Sequence, residues 1–278
     1  MSTIVFLAVL GAAFLHAFWN GQIKTGVSKQ TSMLILTVGQ GGIGLFVAVF
    51  RGLPVTEAWP WLIASGVIHM LYQLFLAYAY EQGDLSRVYP IARGAAPMIV
   101  VIFSVLFLTD PINGWEYIGI AVLGAGIVLM ARGVFGNNES LGLLPFALGS
   151  ACATAGYSLV DGLGARVSGD AITYVTWVFV MSGVFYVPAV LALRGRTVLI
   201  ADRRAWTVGL VAAAASYFAY AIVVWAMTLA PIAVVTALRE TSRLFAVLFG
   251  WIVFGERMDR GKIAAAILIV LGVLLTRL

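Results

Sequence analysis

Charge is what this chain has least of. Only 10% of its 278 residues are Asp, Glu, Lys or Arg, against roughly a quarter in a soluble globular domain. With 62% hydrophobic residues and a mean hydropathy of +1.02, one soluble core cannot hide the apolar surface, and a bilayer must take part of it. Cysteine is nearly missing: Cys152 stands alone, which excludes an intramolecular disulfide and a Cys-rich metal site. The two histidines, His16 and His69, fall on different apolar stretches without HExxH-type spacing, and no nucleophile–base pair stands out. An enzyme is therefore not expected, and neither is a metal or other cofactor. Polar runs long enough for an extramembrane domain are lacking too. The net charge of +5 and pI near 9.5 do not indicate nucleic acid, because the basic residues sit in short loops between apolar runs.

What is present is a succession of apolar runs, each close to the 20 residues that span a bilayer. Ten segments are predicted: 3–24, 31–50, 58–80, 86–108, 114–132, 141–164, 171–193, 205–229, 232–254 and 261–277. Gly52 and Pro54, Gly83-Asp84, Asp110-Pro111 and Ala230-Pro231 punctuate them. The uncharged Met1-Ser2-Thr3 lacks the basic region of a signal peptide, so the first run is expected to be a retained helix.

Two runs carry charge near their middle. Pro231 to Glu256 holds Arg239, Glu240 and Arg243; Val88 to Asp110 holds Arg93. Arg239 follows Arg93 by 146 residues, and Glu256 follows Asp110 by the same interval, as Gly272 follows Gly126. Trp19-Asn20 and Tyr157-Ser158 each follow a Leu-Gly pair, Leu10-Gly11 and Leu148-Gly149. The sequence thus predicts two repeats, residues 1–135 and 141–278, joined by a linker at 136–140. Five helices per half is an odd number, so the second half must be inverted relative to the first, as in transporters that alternate access about a midplane site. The fold class expected is an all-α integral membrane protein of ten transmembrane helices, in two inverted five-helix repeats around a central cavity. Eleven of the 17 Lys and Arg lie on the side reached after odd-numbered helices, three lie on the other, and three are within the membrane. The positive-inside rule then puts both termini outside the cytoplasm.

An ionised side chain at bilayer depth faces protein or a water-filled cavity, not lipid. Arg93, Arg239 and Arg243 are accordingly the leading candidates for substrate binding. Guanidinium presents a planar fork of donors suited to carboxylate or phosphate, and it cannot lose its charge. The plainer alternative is internal pairing: Glu240 and Arg243 are i, i+3, and Asp161 is placed to meet Arg93 or Arg239. Glu240 is also a candidate proton carrier. His16, Asn20 and Lys24 share one face of the first helix, flanked by Trp19; they form a cavity wall or bond to neighbouring helices, with Lys24 reaching the interface. His69, Tyr72, Gln73, Leu76 and Tyr80 make a stripe on the third helix, read as ligand-facing in preference to packing. Tyr157 is the aromatic counterpart of Trp19 and shapes the same cavity. Tyr217, Tyr220 and Trp225 on the eighth helix are read as packing. Gly119, Gly124 and Gly126 make the fifth helix, and with it the tenth, a scaffold.

His16-Ala17-Phe18-Trp19-Asn20 followed by Lys24, Tyr89 to Gly94 (YPIARG), and Leu238 to Ser242 (LRETS) leading to Phe254-Gly255-Glu256 resemble the EamA branch of the drug/metabolite transporter superfamily. The resemblance covers nearly the whole chain. It implies ten helices in two inverted repeats, a cavity lined by the first four of each half, and export or exchange of small metabolites such as amino acids. Within the family the chain is similar to members found beside phosphonate-utilisation genes, and next to aromatic amino-acid exporters of the superfamily. Members of the family are commonly drawn with both termini in the cytoplasm, the reverse of the charge count here.

The reading is a secondary-active transporter of a small anionic or zwitterionic metabolite, an amino acid or organophosphonate, in a bacterial-type inner membrane. An exporter of aromatic or neutral amino acids is the first alternative. A non-transporting lipid-binding or assembly subunit is the alternative of another class. The expected partners are the small-molecule substrate and the lipid bilayer, not nucleic acid; monomer and homodimer are both left open.

Overall fold

Lipid offers a backbone amide no hydrogen-bond partner, so a chain this apolar satisfies its backbone within helices. The computed structural model describes residues 1–22, 28–82, 96–104, 106–108, 110–131, 142–254 and 260–278, and all regular structure among the described residues is helical. The helices are α1 (Thr3–Gln22), α2 (Lys29–Arg51), α3 (Trp59–Gln82), α4 (residues 96–104), α5 (Gly114–Ala131) and α6 (Leu143–Ser168). They continue as α7 (Ala171–Arg194), α8 (Arg203–Leu229), α9 (Ile232–Arg239), α10 (Ser242–Phe254) and α11 (Arg260–Leu275). Four helical stretches are long and apolar enough to cross a membrane: Lys29–Arg51, Thr56–Ala79, Ala171–Leu199 and Arg203–Leu229. Thr3–Trp19 and Gly114–Leu129 are shorter apolar helices. The expected linker at 136–140 lies outside the described residues.

Short polar side chains fix where helices begin. Ser28 Oγ accepts the Thr31 amide of α2 at 3.1 Å, and Asp202 Oδ1 accepts the Ala205 amide of α8 at 2.7 Å. Asn113 and Glu116 cap α5 reciprocally. The Asn113 amide donates to Glu116 Oε2 at 2.9 Å, and the Glu116 amide donates to Asn113 Oδ1 at 2.8 Å. Between α6 and α7 the turn is only Gly169-Asp170. Gly169 takes the left-handed conformation at φ 70°, and Asp170 Oδ1 accepts the amides of Ile172 and Thr173.

One expectation is revised. Residues 232–254 were expected as a single helix, but the chain breaks into α9 and α10 at Glu240-Thr241. There the Glu240, Thr241 and Arg243 amides bond three residues back, to Ala237, Leu238 and Glu240. The helix tightens locally to a 3₁₀ turn beside its two arginines.

The bundle is apolar outside, and its interior sets polar and charged side chains within an apolar core. Phe46, Val49, Phe50, Leu106, Phe107 and Ile252 point outward. Gln40, His69, Gln73, Asp161, Arg239, Glu240 and Arg243 are buried. That arrangement matches lipid as the surrounding solvent. α3 packs on α6 and α7, α2 on α7 and α8, and α1 on α8. α5 packs against α11 so closely that a Cβ on Gly272 would stand 2.6 Å from the Leu123 backbone nitrogen and 2.7 Å from the Gly119 carbonyl oxygen. Ion pairs tie both ends of the bundle. At the α7 N-terminal end, Arg51 meets Asp170 at 3.1 Å, and Arg166 makes a bidentate pair with Asp110 at 2.6 and 3.1 Å. At the other end of α7, Arg194 pairs with Glu81 of α3.

Candidate functional site

Seven helices, α1, α2, α3, α6, α7, α8 and α9, surround one cavity in the interior. α1 contributes Ala12, His16 and Trp19 at helical spacing; α3 contributes His69, Tyr72 and Gln73; α6 contributes Tyr157; α9 ends on Arg239 at its wall. The open space is about 50 Å³, room for a few water molecules.

The aromatic side chains interlock around that space. His69 stacks on Tyr157 at 4.3 Å between centroids and 23°. Tyr72 and Tyr220 meet Tyr157 edge-on at 5.5 and 5.8 Å. Trp19 Nε1 donates to His16 Nδ1 at 3.2 Å, which orients both rings from one turn of α1. Gln40 Nε2 donates to Ser216 Oγ at 2.9 Å across α2 and α8. Arg239, 3% exposed, holds Cζ 5.9 Å from the Tyr157 ring centroid.

Arg243 lies one turn beyond, with its Nη2 3.1 Å from Glu240 Oε2, while Arg239 Nη2 is 3.9 Å from Glu240 Oε1. The structure therefore gathers His16, Trp19, His69, Tyr72, Gln73, Tyr157 and Arg239 on one wall system and sets Arg243 behind it. Arg93 lies outside the described residues, as do Lys24 and the side chain of Tyr80. Asp161 is held by hydroxyls: Tyr174 donates to Oδ1 at 3.3 Å and Tyr220 to Oδ2. His69 Nε2 stands 4.0 Å from Oδ2.

Sequence reasoning misses Gln40, Phe179 and Ser216 at the cavity, and Tyr220, read from the sequence as packing, lines it as well. A signal for the cavity existed at Gln40, Ser216 and Tyr220. Gln40 is a polar residue in mid-span, and Ser216 and Tyr220 share a helical face at i, i+4. Tyr217, one residue from Ser216, instead bonds Thr176 at 2.9 Å and packs on Phe179, as expected of a packing residue.

A helical bundle with lipid-facing apolar side chains and a polar, arginine-bearing interior is a multi-pass integral membrane protein. The profile of the EamA-like transporter family matches residues 3–132 and 141–278, once for each half, and the chain belongs to that family. Over 82 residues it is 30% identical to "Uncharacterized protein y4nH" of Sinorhizobium fredii (strain NBRC 101917 / NGR234), spanning 30% of this chain and 70% of that protein. Over 75 residues it is 36% identical to "Uncharacterized transporter in cobO 3'region" of Sinorhizobium sp, spanning 27% of this chain and about half, 52%, of that protein. A crystal structure at 16% identity shares the fold with TM-score 0.73, covering 98% of this chain and 95% of the other.

Proposed function

We propose that this protein is a secondary-active transporter that moves a small anionic or zwitterionic metabolite, an amino acid or organophosphonate, by alternating access. The observation that carries the reading is Arg239. It is a buried, permanent cation on the wall of the interior cavity, at the point where the α9–α10 span is broken. Discontinuous helices at an interior site are a recurrent device of transporters. A carboxylate or phosphonate would take the guanidinium fork, and the rings of Tyr157, Tyr72 and Trp19 would enclose the remainder. Because the cavity holds only about 50 Å³, a guest of that size needs the helices to part, which is the movement alternating access supplies.

Ten spans in two inverted repeats remain the architecture we propose, counting α9 and α10 as one broken span. The helix pairings support it. Exchanging the halves turns the α3–α6 contact into α8–α1 and the α3–α7 contact into α8–α2, and it returns α2–α7 and α5–α11 to themselves. Transport of aromatic or neutral amino acids is the second reading, favoured by the density of rings around the cavity. We place the protein in a bacterial-type inner membrane with both termini outside, on the Lys and Arg distribution.

The test is counterflow in proteoliposomes with L-phenylalanine, L-aspartate and 2-aminoethylphosphonate as probes. Arg239→Gln is expected to abolish flux of the anionic and zwitterionic probes, and Arg93→Gln to do the same. Undiminished flux in both variants would overturn the arginine assignment.

A further inference from the structure

One carboxylate stands apart from the arginines. Asp161 of α6 is fully enclosed, at 0% exposure. Tyr174 of α7 and Tyr220 of α8 direct hydroxyls to it, and the Ser65 hydroxyl of α3 lies close by, 3.2 Å from His69 Nδ1. From α3, His69 brings Nε2 to 4.0 Å from Asp161 Oδ2. The other imidazole nitrogen, Nδ1, lies 3.0 Å from the Ser65 carbonyl oxygen. Ser65 Oγ lies 3.2 Å from the same nitrogen, so the serine offers Nδ1 both an acceptor and a donor, and Nε2 is the ring nitrogen that faces Asp161. His69 lines the cavity and Asp161 does not. The imidazole therefore stands between the buried carboxylate and the space where a substrate would sit.

We infer that Asp161 and His69 form a proton-binding site that loads and unloads through the cavity, coupling proton movement to transport. The inference rests on the transporter reading above. Hydronium in the cavity water gives a proton to the neutral His69 ring, one O–H bond breaking as an N–H bond forms, which leaves water and an imidazolium whose Nε2–H faces Asp161. That N–H bond then breaks as an O–H bond forms on Asp161, and the reverse sequence returns the proton; no electrons are exchanged.

Histidine is the side chain whose charge changes near neutral pH. Glu240, another buried carboxylate, instead faces Arg243 at 3.1 Å and Arg239 at 3.9 Å, both of fixed charge. The groups around Asp161 are Ser65 and His69 from α3, Tyr174 from α7 and Tyr220 from α8. Tyr157 on its own helix stacks on His69, and Arg239 of α9 acts on the Tyr220 phenol. Because Tyr220 bonds Asp161, His69 faces it, and both rings line the cavity, a guest that displaces either ring disturbs the proton site directly.

Infrared difference spectroscopy of the lipid-reconstituted protein during a pH titration reads the protonated carboxyl band without any substrate. A band that titrates in the parent is expected to disappear in Asp161→Asn. Its midpoint is expected to move in Tyr220→Phe, which keeps the carboxyl and removes one donor. Titrating bands that all persist in Asp161→Asn overturn the inference. The second arm measures accumulation of L-phenylalanine and 2-aminoethylphosphonate in proteoliposomes with and without an imposed pH gradient, alongside an entrapped pH dye. The parent is expected to respond to the gradient and to move protons with the probe. Parent flux indifferent to the gradient overturns the coupling and leaves the transport reading intact. A titrating Asp161 band with no flux of either probe supports the proton site and counts against the transport reading.

Discussion

A guanidinium cannot discard its charge, so Arg239 and Arg243 must be accommodated as cations at 3% and 4% exposure. The two are treated differently. Arg243 meets Glu240 at 3.1 Å, whereas Arg239 stands 3.9 Å from it and also lines the cavity. Removing one member of a buried ion pair leaves the other charge uncompensated, a loss of about 3–5 kcal/mol in soluble proteins. Glu240→Gln is therefore expected to lower the melting temperature of the purified protein. Adding Arg243→Gln is expected to recover part of the loss, because the nearer of the two cations left behind is then gone. Four melting curves complete the double-mutant cycle, and simple additivity of the two changes would count against the pair.

At the scale of the element, the determining features are helix ends. The α6–α7 turn has no residues to spare, so α7 depends on Asp170 as its cap. Burial alone would push the Asp170 carboxyl up. The Thr173 hydroxyl, the amides of Thr173 and Ile172 and the Arg51 guanidinium together outweigh it and hold the carboxyl below its ordinary value. The sign follows from linkage. A carboxyl lowered on folding contributes stability that is complete above its unfolded value of about 4 and is lost as pH falls through the lowered folded value. Asp170→Ala is expected to destabilise the protein by about 1 kcal/mol at neutral pH through loss of the cap. Asp170→Asn keeps a capping oxygen and removes the charge, so its deficit should be present at neutral pH and fade below about pH 4. Thermal unfolding of the three proteins across that range checks both expectations, and a deficit that grows on acidification would reverse the assignment. The broken α9–α10 span is the second such feature. Its 3₁₀ turn places Arg239 at a helix end beside the cavity, where an unbroken helix would carry it onward without interruption.

For the whole molecule, the two ends of the bundle are tied by different sets of charges. Arg51–Asp170 and Arg166–Asp110 join helices at one end, with Arg166 also bonding the Met227 and Ala230 carbonyls at the α8–α9 turn. Glu81–Arg194 joins α3 and α7 at the other. Alternating access would open one set while the other holds. Orientation belongs to this scale as well. On the Lys and Arg count, a C-terminal alkaline phosphatase fusion is expected to be active and a C-terminal fluorescent-protein fusion dark. The opposite pair of results would invert the topology and put Arg51 and Arg166 at the cytoplasmic end.

The sequence by itself determined that the chain is a helical membrane protein of the EamA-like family. Apolar run length and the shortage of charge leave a bilayer as the only adequate solvent, and the repeated landmarks mark two related halves. It also pointed to His16, Trp19, His69, Tyr72, Gln73, Tyr157 and Arg239, because polar and aromatic groups at helical spacing inside membrane spans have few other places to face. Tertiary structure alone decided which of these meet. Asp161 turns to Tyr174, Tyr220 and His69, and Glu240 takes Arg243. Tyr220 reaches the cavity while Tyr217, three residues earlier, packs away from it, and Gln40 finds Ser216 across two helices. The physical reason is that periodicity fixes a residue's face on its own helix but carries no information on the rotation of that helix against its neighbours. Side-chain packing across the bundle sets that rotation.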